Sequence, residues 1–178
     1  SFDAAKPSSS SGFSFGAAQP APAPAPAPAP VPTGPAVMLD EDALDQAETD
    51  LSFGLIESHV RFCAQGGHGI DEDVAEAALD AVLRLSFAHG AAMGKVGMCS
   101  AVVSMMRAFA DEAAVVEVGL GCIDRLSRKG NQDELGPLVA ALLVKAMDEH
   151  KEGEPTLQET ACLVAEGLAQ GHKVNAQL

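Results

Sequence analysis

Tryptophan and tyrosine are absent from this chain of 178 residues, and phenylalanine occupies only seven positions. The chain therefore lacks most of the aromatic surface on which nucleic-acid bases and sugars stack. Basic residues are also few, with 11 Lys and Arg against 25 Asp and Glu and a net charge of −14. Because binding to phosphates depends on Lys and Arg, we expect neither a nucleic acid nor a membrane as a partner.

Long apolar runs are missing as well, since no stretch of 18 or more apolar residues predicts a membrane-spanning helix. The start of the chain lacks the basic and apolar segments of a secretory leader, so we expect an intracellular protein, cytoplasmic or nuclear. We expect reduced, buried thiols rather than disulfides or metal ligands, because no two cysteines form a Cys-x-x-Cys pair. The four cysteines are Cys63, Cys99, Cys122 and Cys162.

Motifs that carry chemistry are equally scarce. The sequence contains no phosphate-binding loop and no dinucleotide-binding fingerprint. His59 and Cys63 share helical i, i+4 spacing, with His68 nearby, but no second Cys or acidic residue stands at a standard zinc-ligand spacing. We therefore expect no enzyme activity, no metal site and no cofactor.

Residues 1–37 predict a disordered tail, rich first in Ser and Gly and then in Ala and Pro. Ordering such a tail costs on the order of 40–70 kcal/mol of backbone entropy. The few large apolar side chains there, at about 1.5–3 kcal/mol each, cannot offset that cost. The alternation of Pro with Ala or Val between Gln19 and Pro32 favours a polyproline II spacer. Phe13 and Phe15 resemble the Phe-x-Phe-Gly repeat of nucleoporins, so a nuclear-transport-related factor is one alternative function.

Residues 38–178 predict helices, without the period-two alternation of strands. Their main feature is one helical pattern that occurs three times, 41 and 42 residues apart. Aliphatic or small residues hold the same offsets in the three copies, which are Val74-Ala78-Ala81-Val82-Leu85-Ser86, Val115-Gly119-Cys122-Ile123-Leu126-Ser127 and Leu157-Ala161-Val164-Ala165-Leu168-Ala169. A period near 40 with helical internal spacing is typical of an α-solenoid, here with units at about 50–90, 91–130 and 131–171.

Capping and helix-breaking residues predict the helix limits. Asp71 and Asp111 are expected N-caps, and Gly90, Gly130 and Gly171 are expected to end helices. The predicted helices comprise a first region from Leu39 to Cys63, capped by Asp40 or Asp42, and segments 71–87, 98–109, 112–129, 137–150 and 156–170.

The units resemble armadillo repeats. The resemblance lies in Gly94-Lys95-Val96-Gly97-Met98 through Arg125-Leu126-Ser127-Arg128-Lys129-Gly130, and in Ala146–His150 with Leu157–Cys162 of the third unit. It implies an all-α, right-handed superhelix of about three units, each with a short first helix, a longer second helix and a long third helix. HEAT repeats are the close alternative. Gly97 and the short first helices expected before Met98 and Pro137 favour armadillo repeats.

Such a fold implies binding rather than catalysis. The resemblance favours a protein–protein interaction scaffold or adaptor that binds a partner segment on the concave surface of the array. One alternative is a structural subunit of a larger assembly, with both faces of the array buried. Neither end of the array shows a polar cap. Apolar residues at 138–143, together with Leu163, are expected to leave an apolar C-terminal end that self-association or further repeats would cover.

The candidate groove residues are Asp80, Arg84, Gly121, Arg125, Lys129 and Leu163. Armadillo peptide receptors project a Trp and, four residues later, an Asn from the third helix of a unit. In this sequence the Trp-like positions hold Asp80, Gly121 and Leu163, and the Asn-like positions hold Arg84, Arg125 and Gly167. Because both receptor residues are replaced, we do not expect a basic nuclear-import signal as the ligand.

Arg84 and Arg125 recur one unit apart in a chain with few cations. At the usual spacing of packed helices, about 10 Å, their guanidinium groups suit the carbonyls or carboxylates of an extended or acidic segment. In the alternative interpretation each Arg offsets nearby acids, which for Arg84 means Asp80 four residues earlier.

Overall fold

The computed structural model describes residues 34–151 and 155–177, and this part of the chain is all α-helical, without a β-strand. Its helices are α1 (Glu41–Thr49), α2 (Phe53–Gly66), α3 (Glu72–Lys95), α4 (Met98–Ala108), α5 (Ala113–Leu126), α6 (Gln132–Glu149) and α7 (Pro155–Ala169). A π-helical turn at Ser127–Asn131 joins α5 to α6, and 3-10 turns occupy Gly67–Gly69 and Asn175–Gln177. The predicted tail at residues 1–33 lies outside the described residues. None of the described helices is long and apolar enough to cross a membrane.

Several helix ends follow from single residues. The side chains of Asp40 and Asp71 accept hydrogen bonds from backbone amides in the first turns of α1 and α3, at 2.9 and 3.0 Å, so both residues act as N-caps. Gly97 (φ 90°) and Gly130 (φ 89°) lie in the left-handed region, between α3 and α4 and between α5 and α6. Glycine reaches this region without the steric cost that a Cβ atom brings.

Several predicted helix limits differ from the structure. Asp111 is not the N-cap of α5, because this helix begins at Ala113 with Glu112 at its N-cap position. Gly90 does not end α3, which continues to Lys95. A Cβ atom at Gly90 would lie 2.8 Å from Cγ of Lys129, so this glycine permits close packing rather than a turn. The first helical region also breaks where none was predicted, because Leu51, at φ 53°, separates α1 from α2.

The short first helix expected in the second and third units is not a separate element. Residues 91–95 continue α3, and α6 begins at Gln132 and runs through Pro137. The element that recurs is therefore a pair of long helices.

These helices form two layers. In one layer α4 packs against α2 and α6, and in the other α5 packs against α3 and α7. Across the layers α2 packs on α3, α4 on α5 and α6 on α7, which gives three successive helix pairs. One hydrophobic core lies between the layers and extends from α1 to α7.

The three copies of the sequence pattern occupy corresponding places in this core. Most members are buried, among them Ala78, Gly119, Ala161, Val82, Ile123, Leu126 and Leu168. Leu85 is only half-buried, and Ala165 is exposed. Ala165 is exposed because no described helix packs beyond α7.

An asparagine ties neighbouring helix pairs together. The Nδ2 atom of Asn131 donates hydrogen bonds to the carbonyl oxygens of Gly90 (3.1 Å) and Leu126 (3.0 Å). Its Oδ1 atom lies so close to α3 that a Cβ atom at Gly94 would stand 2.0 Å away. The asparagine can therefore occupy this place only beside a glycine.

The same arrangement recurs one unit later. Asn175 donates to the carbonyl oxygens of Gln132 (2.9 Å) and Leu168 (3.1 Å), and a Cβ atom at Gly136 would stand 2.1 Å from its Oδ1 atom. The carbonyl acceptors and the glycine each lie 42 residues after their counterparts. We call these two arrangements the asparagine–glycine contacts.

The N-terminal end of the array is covered, contrary to the expectation that neither end has a polar cap. Helix α1 packs on α2 and α3, buries Leu44 and Ala47 and exposes Glu41, Asp42 and Asp45 to solvent. Residues 34–39 lie along α2, where the amide of Val37 donates to the carbonyl of Ser58 at 3.3 Å. This segment includes residues 34–37, which the sequence analysis places in the tail.

Candidate partner-binding site

The candidate groove residues lie on the layer formed by α3, α5 and α7, which we call the α3–α5–α7 face. Helix α3 carries Asp80 and Arg84, α5 carries Gly121 and Arg125, the π-helical turn carries Lys129, and α7 carries Leu163. The side chains of the three cations and the leucine are exposed, whereas the aspartate and the glycine are half-buried.

Arg84 already binds a carboxylate. Its guanidinium donates two hydrogen bonds to Glu48 of α1, with Nε at 3.1 Å from Oε2 and Nη2 against Oε1. This hydrogen bonding is the main cause that raises the pKa of Arg84 above its ordinary value, and the charge of Asp80 is a smaller one. The acid that Arg84 binds is thus 36 residues away in sequence, rather than the Asp80 of the alternative interpretation.

Arg125 and Lys129 have a different neighbour, Phe87 of α3. The guanidinium carbon of Arg125 lies 6.0 Å from the centre of the Phe87 ring, and Nζ of Lys129 lies 5.3 Å from it. At such distances a cation is attracted to the face of an aromatic ring. Phe87 is 69% exposed, and among the described residues neither cation forms an ion pair. We call these three residues the Phe87 cluster.

Arg128 stands next to the Phe87 cluster in sequence but is already paired. Its Nη2 atom lies 2.8 Å from Oδ1 of Asp124, four residues earlier on the same helical segment. Arg128 therefore resembles Arg84 in having a carboxylate partner, and both differ from Arg125 and Lys129.

A depression of about 420 Å³ lies beside the Phe87 cluster, between α3, α5 and α7. Gly121 and Leu83 form part of its floor, and the acidic residues Glu76 and Glu117 line it. A side chain at position 121 would meet Leu83 at 3.4 Å. The face thus presents a cationic and aromatic patch next to an acidic depression.

Sequence reasoning did not identify Phe87 or Glu48. A signal for Phe87 existed, because it follows Asp80 and Arg84 by seven and three residues, on the side of the helix opposite the apolar pattern. No local signal connects Glu48 with Arg84, because their contact depends on how α1 folds back over α3.

The residues with metal-ligand spacing form a buried structural pair. Nδ1 of His59 accepts a hydrogen bond from the amide of Leu39 at 3.0 Å, and its Nε2 atom lies 4.0 Å from Sγ of Cys63. Burial lowers the pKa of His59 and raises the pKa of Cys63 to about 11, so both stay neutral near pH 7. Across residues 34–151 and 155–177 no group of three or more His, Cys, Asp or Glu is placed to hold a metal ion.

The cysteines differ in exposure. Cys63, Cys99 and Cys122 are buried free thiols, and burial raises the pKa of each. Cys162 is exposed, contrary to the expectation that all four thiols are buried. It lies on α7, on a side that no further described helix covers.

Comparison of the chain with models of protein families, with curated proteins and with solved structures finds no match.

Proposed function

We propose that this protein is an armadillo-like α-solenoid that acts as an interaction scaffold and binds a segment of a partner protein on the α3–α5–α7 face. The solenoid assignment is supported by the three helix pairs in two layers, by the period of 41 and 42 residues and by the repeated asparagine–glycine contacts. The scaffold role involves no catalysis and needs no cofactor.

The observation that carries the binding role is the Phe87 cluster. An exposed phenylalanine lies next to two cations that have no carboxylate partner in the described part of the chain. A ligand segment with a carboxylate beside an apolar side chain satisfies both features, because the carboxylate binds Arg125 or Lys129 while the apolar group covers the Phe87 ring.

The remainder of the face helps to define the ligand. Arg84 is paired with Glu48, and Arg128 is paired with Asp124. Among the described residues of this face, the unpaired cations that an acidic ligand can bind are therefore those of the Phe87 cluster. The neighbouring depression, lined by Glu76 and Glu117, repels further acidic residues. The ligand is therefore an extended segment with a short acidic and apolar motif, not a uniformly acidic one.

The test compares single variants of the full chain against a partner that the full chain captures and that is then purified. Arg125→Ala removes a charged hydrogen bond worth about 1.5–3 kcal/mol, which is about a tenfold to hundredfold loss of affinity. Phe87→Ala is expected to weaken binding by a similar amount. Since Arg125 and Phe87 are exposed, both variants should melt like the unmodified protein.

Arg128→Ala is the matched control, because it removes an exposed arginine of the same segment that already has a partner. It should leave the affinity unchanged, and Arg84→Ala should change it less than Arg125→Ala does. Unchanged affinity in the Phe87→Ala/Arg125→Ala double variant would contradict the proposed site. That result would favour the alternative function, a subunit of a larger assembly in which this face makes no ligand contact.

A further inference from the structure

A second surface lies at the C-terminal end of the array, between α6 and α7. It is a groove of about 350 Å³ with an almost entirely apolar lining. We call it the end groove, and its principal residues are Ala140, Leu143, Val144, Met147, Cys162 and Ala165. Val144 is 70% exposed, which is unusual for a valine amid other apolar residues.

The preceding helix pair shows what normally covers this surface. The counterparts of the end-groove residues lie 41 residues earlier on α4 and 42 residues earlier on α5, and they are Cys99, Val102, Val103, Met106, Leu120 and Ile123. All six are buried, because α6 and α7 pack on α4 and α5. Val144, the exposed valine of the groove, corresponds to Val103, which is buried. The end groove is thus the surface that, one unit earlier, the following helix pair covers.

The asparagine–glycine contacts are a second, independent indication that the end groove corresponds to a helix-packing surface. Asn131 stands directly before α6, and its counterpart Asn175 begins the 3-10 turn Asn175–Gln177. This turn therefore occupies the position where α6 begins one unit earlier. The end groove extends beside it, at the position that corresponds to the body of α6.

The charged residues around the end groove indicate which kind of partner fits it. Asp148 lies four residues after Val144, and Glu159 and Glu166 lie three residues before and four residues after Cys162, so acidic side chains border the groove on both helices. Two cations lie on or near α6: Lys151 is paired with Asp148 at 3.2 Å, and Lys145, next to Val144 in sequence, is paired with Glu149 at 3.3 Å. Among the described residues, Glu159 and Glu166 of α7 are therefore the bordering acids without an ion pair. The opposite end of the array is covered by α1, which is itself acidic, so a second copy stacked head to tail would bring acidic surfaces together.

We propose that the end groove binds an amphipathic α-helix of a partner protein, with aliphatic or small residues at positions i, i+4, i+7 and i+11 and basic residues along the margin that faces α7. Helix α6 shows the apolar pattern that fits such a position, since Leu135, Val139, Leu142 and Ala146 are all buried at this spacing. This docking surface is separate from the Phe87 cluster and does not depend on the function proposed there.

The proposal is tested with the full chain and two labelled synthetic peptides. Both carry the α6 sequence, residues 132–149, with Gly136 and Pro137 replaced by alanine to favour the free helix. In one peptide the four acidic residues of this segment are kept, and in the other they are replaced by lysine. The basic peptide should bind at least tenfold more tightly in fluorescence anisotropy, and its affinity should fall as salt is added.

Val144→Asn is the decisive variant, because it removes apolar surface from the groove without adding charge and at an exposed position that folding does not depend on. It should weaken binding of the basic peptide at least tenfold. Leu55→Asn is the matched control: Leu55 is an exposed aliphatic residue, 49% accessible, on α2 at the other end of the array, and it does not line the groove. It should leave the affinity unchanged, and melting curves should show that both variants fold.

Cys162 supplies a second measurement, since it lines the groove and is the one exposed thiol among the four cysteines. The bound peptide should slow alkylation of Cys162 at least tenfold. Absence of saturable binding, equal losses in the two variants, or unchanged alkylation would each overturn the proposal. So would a concentration-dependent dimer in sedimentation that Val144→Asn disperses, because a second copy would then occupy the groove. None of these results would alter the effect of Arg125→Ala on the partner of the Phe87 cluster.

Discussion

The contact between Asn131 and Gly94 predicts that one substitution will have opposite effects in two backgrounds. In Gly94→Ala, the added Cβ atom would stand 2.0 Å from Oδ1 of Asn131, so the asparagine must move. It then loses its hydrogen bonds to Gly90 and Leu126, each worth about 0.5–1.5 kcal/mol. Alanine regains about 1 kcal/mol of helix propensity. The expected net loss of unfolding free energy is about 1 kcal/mol.

The effect of Gly94→Ala on the free energy of unfolding should have the opposite sign when Asn131 has first been replaced by alanine. Asn131→Ala alone should cost about 1–3 kcal/mol, the worth of its two hydrogen bonds. In that background the three atoms nearest to the new Cβ atom are gone, because all three belong to the Asn131 side chain. Gly94→Ala should then stabilise the protein by about 0.5–1 kcal/mol through helix propensity. The difference between the two backgrounds is an interaction energy of about 1–3 kcal/mol, well above the roughly 0.3–0.5 kcal/mol scatter of independent sites.

Urea unfolding measures all four proteins of this cycle. Far-ultraviolet circular dichroism is the appropriate signal, because the chain has no Trp or Tyr and is helical. Gly121→Ala is the matched control, since its Cβ atom would meet Leu83 at an ordinary 3.4 Å and no asparagine. It should stabilise both backgrounds equally. If Gly94→Ala has the same effect with and without Asn131, the proposed basis of the contact is refuted.

Three further predictions concern stability. Leu126→Ala should cost about 2–5 kcal/mol, because Leu126 is fully buried, and the half-buried Leu85→Ala should cost clearly less; equal costs in urea unfolding would contradict the packing of the array. Burial raises the pKa of Glu134 above its ordinary 4.5, and its Oε1 atom is buried without a hydrogen-bond partner among the described residues, so ionisation of Glu134 opposes folding. Glu134→Gln should therefore raise the melting temperature at pH 7, with a gain that shrinks as the pH falls toward 4.5, and a loss at pH 7 would count against this. Burial lowers the pKa of His59 below its ordinary 6.5, so the neutral ring favours the folded state. This contribution to stability is complete above pH 6.5 and is lost as the pH falls through the pKa of the folded state. The melting temperature of His59→Gln should therefore fall less between pH 7 and pH 5 than that of the unmodified protein.

Features that depend on a few adjacent residues could be predicted from the sequence. The caps at Asp40 and Asp71 and the break at Gly130 are local, so they follow from side-chain chemistry and from the freedom of glycine. The cap predicted at Asp111 is wrong, because α5 begins one residue later, with Glu112 at its N-cap position. The apolar pattern likewise predicted which residues of α3, α5 and α7 are buried, because helical periodicity determines the face that packs.

Features that depend on distant parts of the chain could not be predicted. A glycine can end a helix or admit a neighbouring side chain, and only the packing of Lys129 against Gly90 shows which role applies. Leu51 breaks the first helical region without a glycine or proline to indicate it. The candidate site has the same limitation: Arg84 and Arg125 look equivalent in sequence, but α1 supplies a carboxylate to one and α3 supplies an aromatic ring to the other.

The difference between the two ends of the array gives its unfolding a direction. In a stack where each helix pair contacts only its neighbours, an outermost pair lacks half of its packing partners and opens first. Helix α1 supplies packing at the α2–α3 end, whereas the α6–α7 end has no comparable layer in the described part of the chain. Local opening therefore starts at α7 and advances toward α3, with each asparagine–glycine contact as a barrier to the next step. A ligand helix at the open end would arrest this fraying at its origin, and so would lengthen the lifetime of the whole array before unfolding.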